Sequence, residues 1–302
     1  MQVQYYVKHT YRPEFTAEAL PQLLYVARID PADCAYSWVL HSHPDLVEVL
    51  LICEGSSEFL IGDRVQAIHP GDLVIYNSNV VHDEVVDPEH ALTYYCAAIG
   101  NLQLPGLRRN ALTPDDAPAV YPVGESLEPT RTLYDLMYRA LSAGRPGSEE
   151  YCHHLMMALL AKVRSVTGSL PVHPQEGTEP NVLGRRIQEY IDEHFQEQIS
   201  LPELGEKLHM SPYYLSHVFK QMIGYSPVQY LLRRRIGEAQ KLLISTDLPV
   251  SRISEMVGYD TQSYFNLQFT KHVGMSPLRF RHEYVPPTDA PERPEAGAPP
   301  KL

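Results

Sequence analysis

The sequence predicts two domains of different class: an N-terminal all-β barrel backed by a helical hairpin, and a C-terminal all-α domain. Three observations predict it. Residues 20–100 fall into short runs rich in Val, Ile, Leu and Tyr, broken by turn signals. From about residue 127, apolar residues recur at helical spacing. Between residues 201 and 281, one pattern of helices occurs twice. A chain of 302 residues is long enough to give each domain its own core.

The β-rich runs are "LLYVARI", "YSWVLHS", "LVEVLLIC", "SEFLI", "RVQAI", "DLVIY", "VVHDEVV" and "LTYYCAAI". "IGDR" at 61–64 predicts a tight hairpin and "HPGD" at 69–72 a Pro-Gly turn. Many short strands at such spacing suit an antiparallel sandwich or barrel. Next comes "SLEPTRTLYDLMYRALSAG", which opens on a Ser-x-x-Glu-like segment and carries Leu133, Leu136, Met137, Ala140 and Leu141 at helical spacing. "SEEYCHHLMMALLAKVRSV" follows with Leu155, Leu159 and Val163. A helical hairpin covering the barrel is expected, with a homodimer seam as a further use of its apolar stripe. The first domain is thus expected over 1–167. "GSLPVHPQEGTEPN" at 168–181 is the linker candidate, and the Pro-rich stretch from 285 to 302 is expected to be disordered.

Residues 182–284 are expected to be helical throughout. "GYSPVQYL" (224–231) resembles "GMSPLRFR" (274–281) at an offset of 50, and "YYLSHVFKQMIG" (213–224) lies over "SYFNLQFTKHVG" (263–274) at the same offset. "LPELGEKL" (201–208) lies over "VSRISEMV" (250–257) at 49, so one residue is gained in a turn. Each copy has the parts of a helix-turn-helix. Leu201, Leu204 and Leu208 form a short amphipathic helix. Ser211 in one copy and Asp260 in the other are placed to cap a second helix. Leu215 with Phe219, and Phe265 with Phe269, are i,i+4 pairs facing a small core. On the opposite face stand Tyr213, Ser216, His217 and Lys220 in the first copy, and Gln262, Ser263, Asn266 and Thr270 in the second. Such side chains reach base edges or phosphates. The continuous helix expected over 226–246 spans about 31 Å, near the roughly 34 Å of one turn of B-DNA.

Net charge is −12, which by itself argues against a nucleic-acid partner. Its distribution removes the objection. Residues 1–180 hold 11 Lys/Arg against 23 Asp/Glu, whereas residues 181–284 hold 12 against 11. Any basic surface in the second domain is local, for example around Arg233, Arg234 and Arg235.

Residues 182–284 resemble the DNA-binding domain of the AraC/XylS transcription regulators, and "GYDTQSYFNLQFTKHVGMSPLRFR" carries the most specific part of the match. The resemblance implies that Tyr213, Ser216, His217, Gln262, Ser263 and Asn266 contact bases of a promoter operator. Two departures weaken the second helix. Leu267 stands where the family often has a basic residue, and Thr270 where a lysine usually follows the phenylalanine. The expected hold on DNA therefore shifts to the first helix and to Arg233–Arg235.

Regulators of this family commonly carry a cupin-type barrel, and "HSHPDLVEVLLICEG" fits that pattern. It supplies His41, His43, Glu48 and Gly55, followed by the turn at Pro70-Gly71 and by His82. Side chains at i and i+2 of a strand share a face, which puts His41 and His43 together. Glu48 shares its face with the apolar Leu46, Leu50 and Ile52, so its carboxylate points inward and needs a partner. Three uses compete. One is hydrogen bonding to a small polar effector, a sugar among the candidates, with Trp38 or a tyrosine as stacking face. The second is a divalent first-row metal, although "NSNVVH" (77–82) lacks a Pro-x-Gly before His82. The third is a buried network of these residues alone.

The N-terminus has no secretory pattern, and no apolar run approaches the roughly 18 residues of a membrane span. Cys34, Cys53, Cys96 and Cys152 form no CxxC pair. The expectation is a cytoplasmic, non-catalytic regulator without a cofactor. Its partners are double-stranded DNA, an effector, a second copy of the chain and, for an activator, RNA polymerase. A cupin metalloenzyme with an accessory DNA-binding segment is the alternative.

Overall fold

The computed structural model describes residues 20–31, 39–85, 92–169 and 180–284, together with Gln4 and Phe15. Contacts divide the chain into two compact units, one built chiefly from residues up to Glu176 and the other chiefly from Gly177 onward. Trp38, Cys34, most of the linker candidate and the Pro-rich tail lie outside the described residues.

The first unit holds two sheets. Strands β1 (Gln22–Ile29), β2 (Leu46–Glu54), β5 (Asp72–Tyr76), β7 (Thr93–Gly100) and β8 (Val120–Pro122) form a five-stranded sheet in the order β1-β7-β2-β5-β8. Strands β3 (Ser57–Ile61), β4 (Arg64–Ile68) and β6 (His82–Val85) form the other, in the order β4-β3-β6. The Gly62-Asp63 turn joins β3 to β4, and Gly71 adopts φ +88° in the Pro-Gly turn before β5.

Strand β2 explains why "LVEVLLIC" reads as almost continuously apolar: both of its faces are covered. Val47, Val49 and Leu51 face one core with Tyr95, Ala97 and Ile99 of β7 and with the helices α1 (Leu127–Ala143) and α2 (Ser148–Ser169). Leu50 and Ile52 face a second core with Phe59, Ile61, Ile68, Val74, Tyr76, Tyr94 and Cys96, enclosed by both sheets. Tyr134 of α1 is fully buried and donates to the Val49 carbonyl at 2.7 Å, tying the hairpin to the sheet. Helix α1 ends at Gly144, which adopts φ +57°.

Three local expectations need correction here. The run "YSWVLHS" does not end in a strand: its described residues make only an isolated bridge at His41. The Ser126 side chain makes no capping hydrogen bond, because helix α1 is entered through a 3-10 turn at Gly124–Ser126. Leu136, placed on the expected apolar stripe, is 37% exposed, while Thr130, Tyr134 and Met137 face the core. Strand β8 was not read from the sequence at all.

The second unit is helical: α3 (Pro180–His194), α4 (Leu201–Leu208), α5 (Pro212–Ile223), α6 (Pro227–Ser245), α7 (Val250–Met256), α8 (Gln262–Val273) and α9 (Pro277–Tyr284). Local chemistry sets the boundaries. Ser200 with Glu203, and Ser226 with Gln229, form capping boxes at the starts of α4 and α6. Ser211 caps α5, with Pro212 in its first turn. Helix α8 is capped by Thr261 and not by Asp260, whose carboxylate instead accepts from Gln198 at 2.9 Å. Within α4, a Cβ on Gly205 would lie 2.6 Å from the Met210 carbonyl oxygen, so the tight approach of the turn to the helix requires glycine.

Leu204, Leu215, Phe219 and Tyr230 form the core of the first helix-turn-helix, and Tyr259, Phe265, Phe269 and Phe280 that of the second. Helix α6 packs against α3, α5, α7, α8 and α9 and is the spine that both copies share. Its 19 residues span about 28 Å.

Candidate functional site

In the sheet-rich unit, Glu48 is the one carboxylate among the inward side chains of β2, and it draws polar groups around it. Its Oε2 lies 3.2 Å from His82 Nε2 and 3.4 Å from His43 Nε2. Its Oε1 accepts from the Tyr25 hydroxyl and, at 3.6 Å, from Cys96 Sγ. Tyr76 stacks on His82, with centroids 3.9 Å apart and planes 17° apart. One ligand atom from each of His41, His43, Glu48 and His82 lies within 4.8 Å of the others. His41, Glu48 and His82 are buried, and His43 is partly so.

Electrostatics follow from this burial. At His82, burial lowers the pKa, but the hydrogen bond and charge of Glu48 outweigh it and the net shift is upward. A second carboxylate, Glu84, accepts from the Tyr94 hydroxyl, and burial pushes its pKa up to about 7 against that hydrogen bond. Burial also raises the Cys96 thiol and the Tyr25 phenol, so both are neutral donors to Glu48.

The donor set of three imidazoles and one carboxylate suits a first-row divalent cation. His41 Nδ1 lies 3.1 Å from the Val39 carbonyl and His82 Nδ1 2.9 Å from that of Val80. A backbone acceptor at Nδ1 keeps a proton on that nitrogen, so Nε2 is the atom each ring would offer a cation, which at His82 would replace the proton shared with Glu48. The four ligand atoms spread over up to 4.8 Å, more than twice a metal–ligand bond of about 2.1 Å, so binding a cation would draw the side chains slightly together. The residues fit such an ion.

In the helical unit, the two polar stripes stand where the repeat puts them, one on α5 and one on α8. On α5, Tyr213 is 85% exposed, and His217 and Lys220 are exposed beside a half-buried Ser216. The rings of Tyr213 and His217 are 7° from parallel with centroids 6.5 Å apart. On α8, Gln262, Ser263 and Thr270 are exposed. Asn266 is recessed, its Oδ1 buried with no hydrogen-bond partner among the described residues.

Residues 24–160 match the model of the AraC-like ligand binding domain, and residues 204–283 match that of a helix-turn-helix domain. The chain belongs to the AraC family of transcription regulators. It is 27% identical over 248 residues to the Escherichia coli K12 protein YdiP, named an HTH-type transcriptional regulator; the match covers 81% of each chain. With the arabinose operon regulatory protein of the same organism it shares 30% identity over 156 residues, about half of each chain. Among solved structures, the C-terminal domain of AraT, a response regulator from Geobacillus stearothermophilus, is 37% identical; the match covers 38% of this chain and 96% of that one, with a TM-score of 0.36. This AraC-family chain is therefore a DNA-binding transcription regulator with a ligand-binding domain.

Within that family frame, one expectation about DNA contact fails. Arg234 and Arg235, read from the sequence as basic surface, are only 8% and 6% exposed. Arg234 pairs with Glu238 at 3.2 Å and with Asp192, and Arg235 donates to the Phe195 and Glu197 carbonyls, each at 2.7 Å. Both hold the AraC-type domain together. The polar "RRR" run is explained by α6 being a central helix with most of its surface covered. Arg233 is half-buried with its guanidinium over the Tyr225 ring, 4.7 Å from the centroid.

His41, His43, Glu48 and His82 come together as expected, but not for the stated reason. His41 and His43 do not share a strand; an irregular segment carries them. Sequence reasoning missed Tyr25, Tyr76, Tyr94, Glu84 and Cys96. The alternation of "HDEV" in β6 was the available signal for Glu84, since it faces the same way as His82.

Proposed function

We propose that this regulator binds a promoter operator through α5 and α8 and responds to a small polar effector held by Tyr25, His43, Glu48 and His82. The observation that carries the reading is the buried Glu48 carboxylate, set with two imidazoles and two hydroxyl-bearing rings, with Glu84 as a second buried carboxylate nearby. A ligand rich in hydroxyls, such as a sugar, offers donors for Glu48 and acceptors for the tyrosines and histidines. Effector binding acts through its differential affinity for two arrangements of the protein, and can shift the balance no further than that difference. A homodimer through α1 and α2, contact with RNA polymerase on an activated promoter, and a cytoplasmic location belong to the same reading.

The test is a ligand screen by thermal shift and calorimetry on the full chain, beginning with sugars. A hit should lose at least tenfold in affinity on Glu48→Gln. Equal affinity in the variant would sink the placement of the effector.

A second reading is favoured by the Nδ1 contacts of His41 and His82, which ready their Nε2 atoms for a cation. It predicts about one equivalent of a first-row metal per chain. An enzymatic role would further require turnover that is lost on His43→Ala.

A further inference from the structure

The two DNA-facing stripes differ in chemistry, and the difference is concentrated at one residue. The repeat aligns Leu267 of α8 with His217 of α5, and Thr270 with Lys220. The α5 stripe thus ends in an imidazole and an ammonium, and the α8 stripe in a leucine and a threonine. Leu267 is 63% exposed, on the side of α8 opposite the buried Phe265, Phe269 and Val273. Its neighbour Asn266 is recessed, so Leu267 stands proud of the stripe. The nearest cation on α8 is Lys271, exposed one turn on at the edge of the stripe, where it suits a phosphate and not a base.

An exposed leucine in that position offers no hydrogen bond to a base. In the major groove it has one good partner, the C5-methyl group of thymine. The side-chain methyl of Thr270, one turn farther along, has the same partner. We propose that Leu267, supported by Thr270, is a specificity-determining residue that reads thymine methyl groups. The inference rests on the DNA-reading role of α8. It makes the bound site chemically unequal: the α5 half is read through donors to purine edges, the α8 half through methyl contacts.

The test uses the full chain and a duplex selected by it from a random pool. Each thymine of that duplex is then replaced in turn by uracil, which removes only the methyl group. Affinity should fall about fourfold per contacted methyl, the equivalent of about 0.8 kcal/mol, at one or two positions in one half of the site. In Leu267→Ala the loss at the principal position should vanish, because the variant no longer distinguishes thymine from uracil there. His217→Ala should leave the discrimination in that half intact. Tight binding with no thymine-to-uracil loss overturns the proposal, and so does a loss that persists unchanged in Leu267→Ala. Failure to select any duplex overturns the DNA-reading role itself, a separate outcome. Leu267→Ala altering self-association or another protein contact while leaving the uracil series unchanged would assign the leucine to a protein partner instead.

Discussion

Arg234 Nε lies 3.4 Å from Asp192 Oδ1, and the guanidinium sits over the Phe195 ring, 4.6 Å from its centroid. The same carboxylate accepts from the Tyr230 hydroxyl, at 3.1 Å to each oxygen. Removing one partner of a buried pair strands the other. Arg234→Ala is expected to destabilise the helical unit by about 3–5 kcal/mol. Urea denaturation followed by far-UV circular dichroism measures this, and the salt dependence of DNA binding by the folded variant should be unchanged. A fall in that salt slope with normal stability would return Arg234 to the DNA surface.

Asp192 also makes stability pH-dependent. Burial raises its pKa from 3.8 to about 6, with Arg234 and the Tyr230 hydrogen bond pulling the other way. The folded state holds the proton more tightly than the unfolded state does. The resulting stabilisation is present below about pH 4 and is lost as pH rises through 6, by about 3 kcal/mol at most. Asp192→Asn has no such loss, so its stability should gain on the wild type between pH 4 and pH 7. Parallel denaturation midpoints across that range would show that Asp192 titrates normally.

Lys220 is exposed at the end of the α5 stripe, and no described residue forms a salt bridge with it. As a phosphate contact, Lys220→Ala should lower the slope of log affinity against log salt by about 1, evenly across sequences. Stability should stay within about 0.5 kcal/mol of wild type. An unchanged slope would remove the lysine from the interface.

Elemental analysis separates the two uses of the histidine cluster. With a polar effector as the occupant, untagged full-length protein purified without added metal or chelator should carry iron, manganese, zinc and nickel far below one equivalent while remaining folded. Near one equivalent, falling sharply in Glu48→Gln, would make the cluster a metal site.

Gly205→Ala tests the turn of the first helix-turn-helix. The added methyl meets the Met210 carbonyl oxygen at 2.6 Å, a backbone atom that cannot swing away. A loss of about 1–3 kcal/mol is expected in thermal or urea denaturation. A neutral substitution would mean that the turn relaxes easily.

The helical unit was legible in the sequence because its information is local and written twice. Caps such as Ser211 and Ser226, proline in the first turn, and the i,i+4 pairs Leu215–Phe219 and Phe265–Phe269 lie within a few residues of the features they specify. The displaced cap at Thr261 shows the limit, since Asp260 is an equally good cap by type but is engaged by Gln198, 62 residues away. The same limit hid the burial of Arg234 and Arg235: their charges read as surface until Asp192, Phe195 and Glu197 are seen around them. In the sheets, alternation along β2 placed Glu48 inward correctly. Its partner Tyr25 is brought in through β7, which lies between β1 and β2, and nothing in sequence spacing encodes that pairing.

On the proposed reading, helix α6 joins two unlike readers in a fixed order along the chain. A palindrome cannot satisfy such a pair, because its two halves are the same while the two proposed readers ask for different contacts. A chain that reads DNA in this way would have a heading along the promoter, upstream or downstream. Inverting the site in place would leave its sequence content intact while reversing which end of the regulator faces the start of transcription.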